Sequence, residues 1–299
     1  MRILIIGSSA AGLGAAEALC ARLRARGDTG RILPQTQPRA LAREIAAGRW
    51  DAVTAVHPRA VRMLRALRRT GQLAVPTLGL AADYQWSPGW AGCDAYALAH
   101  PSLIQDALRS GIPARALHAT GVPVYGGPGL DRIDARRALG VPRGGWLVLA
   151  PNARGEQIDA LLDLPDFHPW VAAVCSDEEL SARLARRYAR QPRVLVRGAQ
   201  QPLELWLDSC NVLVGSAHPL LLARAAARRT PLVLTGDAPG AALFAECGMA
   251  LSARTPGAAA RAARLLCQNT GRARAMRQAQ STWADPCAAE TVCRLLASL

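Results

Sequence analysis

Short, mostly apolar runs, several of which stop at a glycine, an alanine or a His-Pro pair, recur along this chain, and a segment of helical period follows most of them. Ile3-Leu4-Ile5-Ile6 ends at Gly7, and Asp51–Val56 ends at His57-Pro58. Further runs lie at Val75–Leu80, Ala95–Ala99, Ala114–Ala119, Trp146–Ala150, Trp170–Val174, Val194–Val196, Val212–Val214 and Leu232–Leu234. A strand that is apolar on both faces must be covered on both faces, the condition met in a parallel sheet sandwiched between helices. Strand and helix alternate in both halves, so the expected class is α/β with two doubly wound, Rossmann-like parallel sheets. Thr120–Arg143 interrupts the alternation with five glycines between Gly121 and Gly140 and prolines at 123, 128 and 142. It reads as an interdomain linker around one short helix. The expected domains are 1–140 and 141–299, with the last helix packing back on the first. Ser176 is expected to cap the helix Asp177–Arg190, with Glu179 completing a capping box.

Charge narrows the partners. The net charge is +14, and none of the 36 basic residues is a lysine, a usage that fits a GC-rich, alanine-rich coding bias. Residues 1–150 hold 19 Arg against 9 acids, and residues 151–299 hold 17 against 13. The first half therefore suits a phosphate-rich partner such as an anionic membrane surface. The eight cysteines form no C-x-x-C pair, no signal-like segment opens the chain, and no apolar run is long enough to span a bilayer. These features predict a cytoplasmic protein with free thiols, whose contact with the inner face of a membrane is peripheral.

Two segments of the first half carry candidate chemistry. In Gly7-Ser8-Ser9-Ala10-Ala11-Gly12-Leu13-Gly14 a phosphate-facing turn has a serine where a dinucleotide fingerprint needs its middle glycine. No acidic residue closes the next strand, so flavin or NAD is only a remote alternative. After His57-Pro58, the residues Arg59, Arg62, Arg65 and Arg69 recur at helical spacing with Val61, Leu64 and Leu67 on the other side. That face is either solvated or a footing on anionic headgroups; nucleic acid is not expected, because no aromatic interleaves with the arginines. Asp83 follows a strand end, where it either caps a turn or serves as a general base. Trp86 and Trp90 nearby could form an apolar acceptor platform. The histidines show no metal-ligand spacing, so no metal site is expected.

The stretch Val194–Leu251 contains two strand–turn–helix units side by side, with turns at Gly215–Pro219 and Thr235–Gly240. Carboxyl ends of parallel strands facing helix N-termini form the usual anion and nucleotide crevice. Gly215, Ser216, His218, Arg224 and Gly240 are the candidate donor-binding residues.

Four segments together resemble one family: DAVTAVHP; the block VPTLGLAADYQWSPGWAGCDAYALAHPSLIQDALRSGIPARALHATGVPV; RRALGVP; and the stretch Val194–Leu251. They resemble the two-domain GT-B glycosyltransferases of the monogalactosyldiacylglycerol synthase and processive diacylglycerol glucosyltransferase family. The resemblance implies a GT-B architecture whose first domain holds a lipid or other hydrophobic acceptor and whose second holds a UDP-sugar. It implies hexosyl transfer with inversion, direct displacement of UDP, and a nucleotide-sugar co-substrate in place of a cofactor or required metal. Ser9, Trp86 and Trp90 would then lie on the acceptor side.

The chain also departs from the family pattern. Ser9-Ala10 stands where the family has Gly-His, and Pro151-Asn152-Ala153-Arg154-Gly155 stands where it has a glycine-rich turn. Leu221 and Arg224 replace a Thr and the Glu that grips the ribose, and Ala238-Pro239-Gly240-Ala241-Ala242 replaces a P-G-Q-E-x-x-N turn. A cation in place of a carboxylate inverts the hydrogen-bonding sense of that position. Two alternatives follow: a glycosyltransferase with a remodelled donor site, or a catalytically inactive member of the fold that acts as a binding or partner protein.

Overall fold

The computed structural model describes all residues except 8, 9, 35, 36, 126–128, 199 and 201, and the side chains of 10, 11 and 239 are also outside the description. The chain divides into two compact units, one of Met1–Gly126 with Trp283–Leu299 and one of Gly127–Thr282.

Unit 1 runs β1 (Arg2–Gly7), α1 (Ala10–Ala25), β2 (Thr29–Pro34), α2 (Pro38–Ala47), β3 (Ala52–Ala55), α3 (Pro58–Arg69), β4 (Thr77–Ala81), β5 (Ala95–Leu98), α4 (Leu103–Arg109) and β6 (Leu117–Ala119). Its strands form one parallel sheet in the order β2-β1-β3-β4-β5-β6. The strands read as continuously apolar, β1, β3, β4 and β5, are the inner ones and are buried along almost their whole length. β2 is an edge strand with Arg31 and Pro34 in it, so it lacks the apolar run that marks an inner strand. Residues 114–116 form a 3-10 turn, which shortens the strand expected at Ala114–Ala119.

Unit 2 runs α5 (Arg132–Leu139), β7 (Leu147–Leu149), α6 (Gly155–Leu162), β8 (Trp170–Cys175), α7 (Glu178–Arg187), β9 (Val194–Gly198), α8 (Leu203–Ser209), β10 (Val212–Ser216), α9 (Pro219–Ala227), β11 (Leu232–Thr235), α10 (Pro239–Glu246), β12 (Leu251–Ala253), α11 (Pro256–Gln268) and α12 (Thr270–Trp283). The sheet order is β12-β11-β10-β7-β8-β9, all parallel. The winding reverses between β7 and β10, the place where an open α/β sheet leaves a crevice beyond its strand ends. The last helix, α13 (Ala288–Ala297), returns to unit 1 and packs on α1, where Arg22 and Arg26 share the Glu290 carboxylate.

The division at Gly126–Gly127 lies earlier in the chain than the expected boundary at 140, because α5 is fastened to unit 2. Arg136 of α5 is 2% exposed and among the described residues has no carboxylate partner. Its Nε donates to Ser209 O (3.0 Å), its Nη2 to Asn211 Oδ1 (2.7 Å) and its Nη1 to the carbonyls of Pro142, Arg143 and Gly145. A second correction concerns α7. Asp177, not Ser176, is its N-cap and accepts from Glu179 N at 2.9 Å. Ser176 is engaged elsewhere, through a hydrogen bond that bears on the site.

Candidate functional site

The carboxyl ends of β7 and β10 in unit 2 carry the residues on which a donor site would be built. After β7 the chain turns through Pro151-Asn152, and Asn152 sits in the left-handed region with φ 50°. Asparagine is among the few residues that tolerate this conformation, and such strain clusters at ligand sites. The Asn152 side chain is pinned: its Oδ1 accepts from Ser176 N (2.8 Å) and Ser176 Oγ (3.0 Å) at the end of β8.

Two cavities flank this turn. One, of about 500 Å³, is lined by Pro151, Asn152, Val174, Ser176, Gln200, Pro202, Leu203 and Arg224. The other, of about 360 Å³, is also lined by Pro151 and Asn152, with Arg154, Gly215, Ser216, Thr235, Gly236, Arg254 and the α11 start at Thr255-Pro256. Gly236 has φ +91°, a conformation that lets the chain turn sharply off β11 beside this cavity.

Arg224 does not project alone into the first cavity. Its Nε and Nη2 donate to both oxygens of Glu204 on α8, each at 2.6 Å. One turn along both helices, Arg228 pairs with Asp208 at 3.2 Å, and Asp208 also accepts from Leu130 N. Burial pushes the Asp208 carboxyl up, against the lowering effects of the Leu130 hydrogen bond and Arg228. Glu204 and Asp208, four apart, thus meet Arg224 and Arg228, four apart, in a ladder between α8 and α9.

The remaining residues expected to bind the donor are placed as follows. Gly215 is buried at the end of β10 and Ser216 is exposed beside it, and both line the second cavity. His218 is the N-cap residue of α9, but its exposed side chain forms no capping bond. Gly240 is buried within the first turn of α10 and lines neither of these two cavities, so the turn residue beside the cavity is Gly236.

In unit 1, α3 is amphipathic as its spacing predicts. Ala60, Val61, Leu64 and Leu67 are buried, whereas Arg59, Arg62, Arg65 and Arg69 are exposed. Among the described residues these four make no ion pair. Arg68 is different, since its guanidinium is bound by both oxygens of Asp94 at 2.8 and 2.6 Å. Asp94 also accepts from Thr77 N and Oγ1. Burial raises the Asp94 pKa, but the Arg68 and Thr77 hydrogen bonds outweigh it and hold the carboxyl below its ordinary value.

Asp83 lies two residues past β4 and is half-buried. His57, two residues past the adjacent β3, senses its charge. Burial lowers the His57 pKa and the Asp83 carboxylate opposes that shift. His57 Nδ1 accepts from Arg59 N at 3.1 Å, capping α3 and leaving the ring proton of the neutral form on Nε2.

The tryptophans require a correction. Trp86 is 8% and Trp90 2% exposed. Their rings stack at 6.4 Å, Trp86 meets Tyr96 edge-on at 5.7 Å, and Trp86 Nε1 donates to Ser110 Oγ at 2.9 Å. They are core residues of unit 1 and offer no acceptor platform, because each buries more apolar surface in the core than a turn could expose. Ser9 lies outside the described residues.

Sequence reasoning missed Asn152, Ser176, Glu204, His57, Arg154 and Arg254 as parts of these sites. The matched four-residue spacings of Glu204/Asp208 and Arg224/Arg228 were a readable signal for the ladder. The left-handed Asn152 had none beyond the asparagine itself.

The fold is the GT-B architecture: two parallel six-stranded Rossmann-like sheets with flanking helices. The chain matches no known family profile. Over 178 residues it is 22% identical to the processive diacylglycerol β-glucosyltransferase of Staphylococcus carnosus, a match spanning 56% of this chain and 45% of that protein, about half its length. Anabaena Alr3699/HepE, solved in complex with UDP and glucose, superposes with a TM-score of 0.66 at 14% identity over 100% of both chains. The UDP-GlcNAc 2-epimerase of Neisseria meningitidis bound to UDP-GlcNAc superposes with a TM-score of 0.73 at 10% identity, again over 100% of both.

Proposed function

We propose that this chain is a glycosyltransferase of the GT-B fold that moves a hexosyl group from a UDP-sugar to a lipid or other hydrophobic acceptor. The observation that carries the reading is the crevice at the β7/β10 reversal of unit 2, with two cavities that share the left-handed Asn152 in their lining. The ligands of HepE and of the epimerase share a uridine diphosphate, which supports UDP as the carrier. The sequence match to a diacylglycerol glucosyltransferase supports a lipid acceptor.

In this reading unit 2 holds the donor through Gly215, Ser216 and Arg224, with His218 at the α9 start available to phosphate. Asp83 of unit 1 takes the proton of the acceptor hydroxyl. The freed oxygen forms a bond to the anomeric carbon as the bond from that carbon to the β-phosphate oxygen breaks, and UDP leaves with the electron pair. Configuration inverts, and no metal is required. The exposed arginines of α3 hold the protein peripherally on an anionic membrane surface on the cytoplasmic side.

Calorimetric titration with UDP and UDP-glucose tests the donor half, and UDP release in vesicles containing diacylglycerol tests the acceptor half. Saturable binding with release of UDP is expected. Absence of binding by both nucleotides would remove the UDP-sugar reading. The closed Arg224–Glu204 pair favours one second reading, a non-catalytic protein that keeps the crevice for binding alone. That reading requires UDP binding without UDP release.

A further inference from the structure

The first cavity has an unusual polar lining once hydrogen bonds already made are subtracted. Asn152 Oδ1 is used by Ser176 N and Oγ, which fixes the amide so that its Nδ2 hydrogens are the unspent group. Arg224 Nε and Nη2 are used by Glu204, which leaves Nη1. Among the described residues neither Nδ2 of Asn152 nor Nη1 of Arg224 has another partner. Among the described residues no carboxylate lines this cavity. Both remaining groups are donors, and each is held in place from behind, one by Ser176 and the other by a bidentate carboxylate.

We propose that Asn152 and Arg224 form a preorganised clamp for an oxyanion, the phosphate of a phosphorylated ligand, with Ser176 and Glu204 as positioning residues. The inference deepens the donor-site reading above and rests on it for the choice of a nucleoside diphosphate as ligand. Glu204 also cancels much of the Arg224 charge, so the clamp suits a ligand that brings several acceptor oxygens more than a single weak anion.

The test uses the full chain with UDP, uridine and inorganic pyrophosphate as titrants. Asn152→Asp keeps the acceptor oxygen for Ser176 and a residue type tolerant of positive φ, but replaces the donor with a negative charge. Arg224→Gln made together with Glu204→Gln removes the cation without leaving its partner uncompensated. A charge-assisted hydrogen bond of about 1.5–3 kcal/mol corresponds to an affinity loss of roughly 10- to 100-fold. UDP and pyrophosphate should weaken together by that factor in both variants, with thermal unfolding cooperative as in the wild type, while any uridine binding is unchanged. Wild-type affinity for UDP in Asn152→Asp overturns the clamp and leaves the nucleotide-sugar reading standing. Equal losses for uridine and UDP also overturn it, because they place a nucleobase at these donors. Pyrophosphate binding that survives in the wild type without UDP binding supports the clamp and removes the nucleotide-sugar reading. Absence of all binding removes both.

Discussion

Replacing Arg59, Arg62, Arg65 and Arg69 together by Gln should detach the protein from anionic vesicles while leaving unit 1 folded. At 100° per residue the four positions fall within an arc of roughly 120°, and over ten residues they cover about 15 Å of helix. All four are exposed, and among the described residues none has a carboxylate partner, so each keeps its charge for an external anion. Arg68 is excluded from the count, because Asp94 neutralises it and ties it to Thr77. A basic side chain at an anionic leaflet contributes about 1 kcal/mol. Four would contribute up to about 4 kcal/mol, or close to a thousandfold in partition. The substituted positions point away from the buried Val61, Leu64 and Leu67, so the melting temperature should change little. The assay is flotation with vesicles of about one-third phosphatidylserine, compared at low salt and near 0.5 M salt, where the screening length falls to a few ångströms. Wild-type flotation should be lost at high salt, and the quadruple variant should not float at either. Equal flotation of variant and wild type, or binding indifferent to salt, would refute the assignment of this face to the membrane.

Two further outcomes follow from groups buried away from the crevice. Arg136→Met should lower unfolding free energy by about 3 kcal/mol in chemical denaturation, because the Ser209, Arg143 and Gly145 carbonyls lose the Arg136 donor and Asn211 Oδ1 keeps only Leu147 N, partly offset by no longer desolvating a charge; a loss below about 1 kcal/mol would mean those acceptors find other donors. His57 and His100 both have pKa values lowered by burial, so the unfolded chain binds their protons first. Their penalty is absent above the ordinary histidine range, grows as pH falls through it, and levels off below the depressed folded values. Stability should therefore fall between pH 7 and pH 5, and His57→Asn, which keeps a capping side chain, should flatten part of that slope.

How much of this was legible depended on which physical signal each residue carries. The inner strands announce themselves because a segment covered on both faces has no polar positions, as in Ile3–Ile6 and Leu232–Leu234. β2 and β12 escaped because they are edge strands, of which TGRILP and LSA expose part of their length. The α3 face was readable because helical period separates Arg59, Arg62, Arg65 and Arg69 from Leu64 and Leu67 in one dimension. Trp86 and Trp90 were misread because the sequence gives their distance from a strand end but not their direction. Their burial depends on Tyr96 and on a neighbouring helix end at Ser110, both remote in sequence. The domain boundary was misplaced for the same reason. Glycines and prolines mark where the chain bends, whereas the assignment of α5 to unit 2 rests on Arg136 reaching Ser209 and Asn211, more than 70 residues away.

Position 224 shows why a substitution read in isolation gives half an account. Taken alone, an arginine where the resemblance leads one to expect a glutamate looks like the loss of a binding group. In the folded chain the missing carboxylate has a counterpart, Glu204, on the neighbouring helix, and the two side chains are matched oxygen for nitrogen. The pair is continued one turn on by Asp208 and Arg228, so the exchange belongs to a charge pattern that runs along two helices. Such a ladder fixes the direction of the Arg224 guanidinium before any ligand arrives. It also leaves Nη1 of that guanidinium unspent in a cavity that Asn152, likewise held by Ser176, lines too. Two side chains lining one cavity are thus each constrained by a hydrogen-bonded partner. On the clamp proposed above, such an arrangement would select oxygens that carry negative charge.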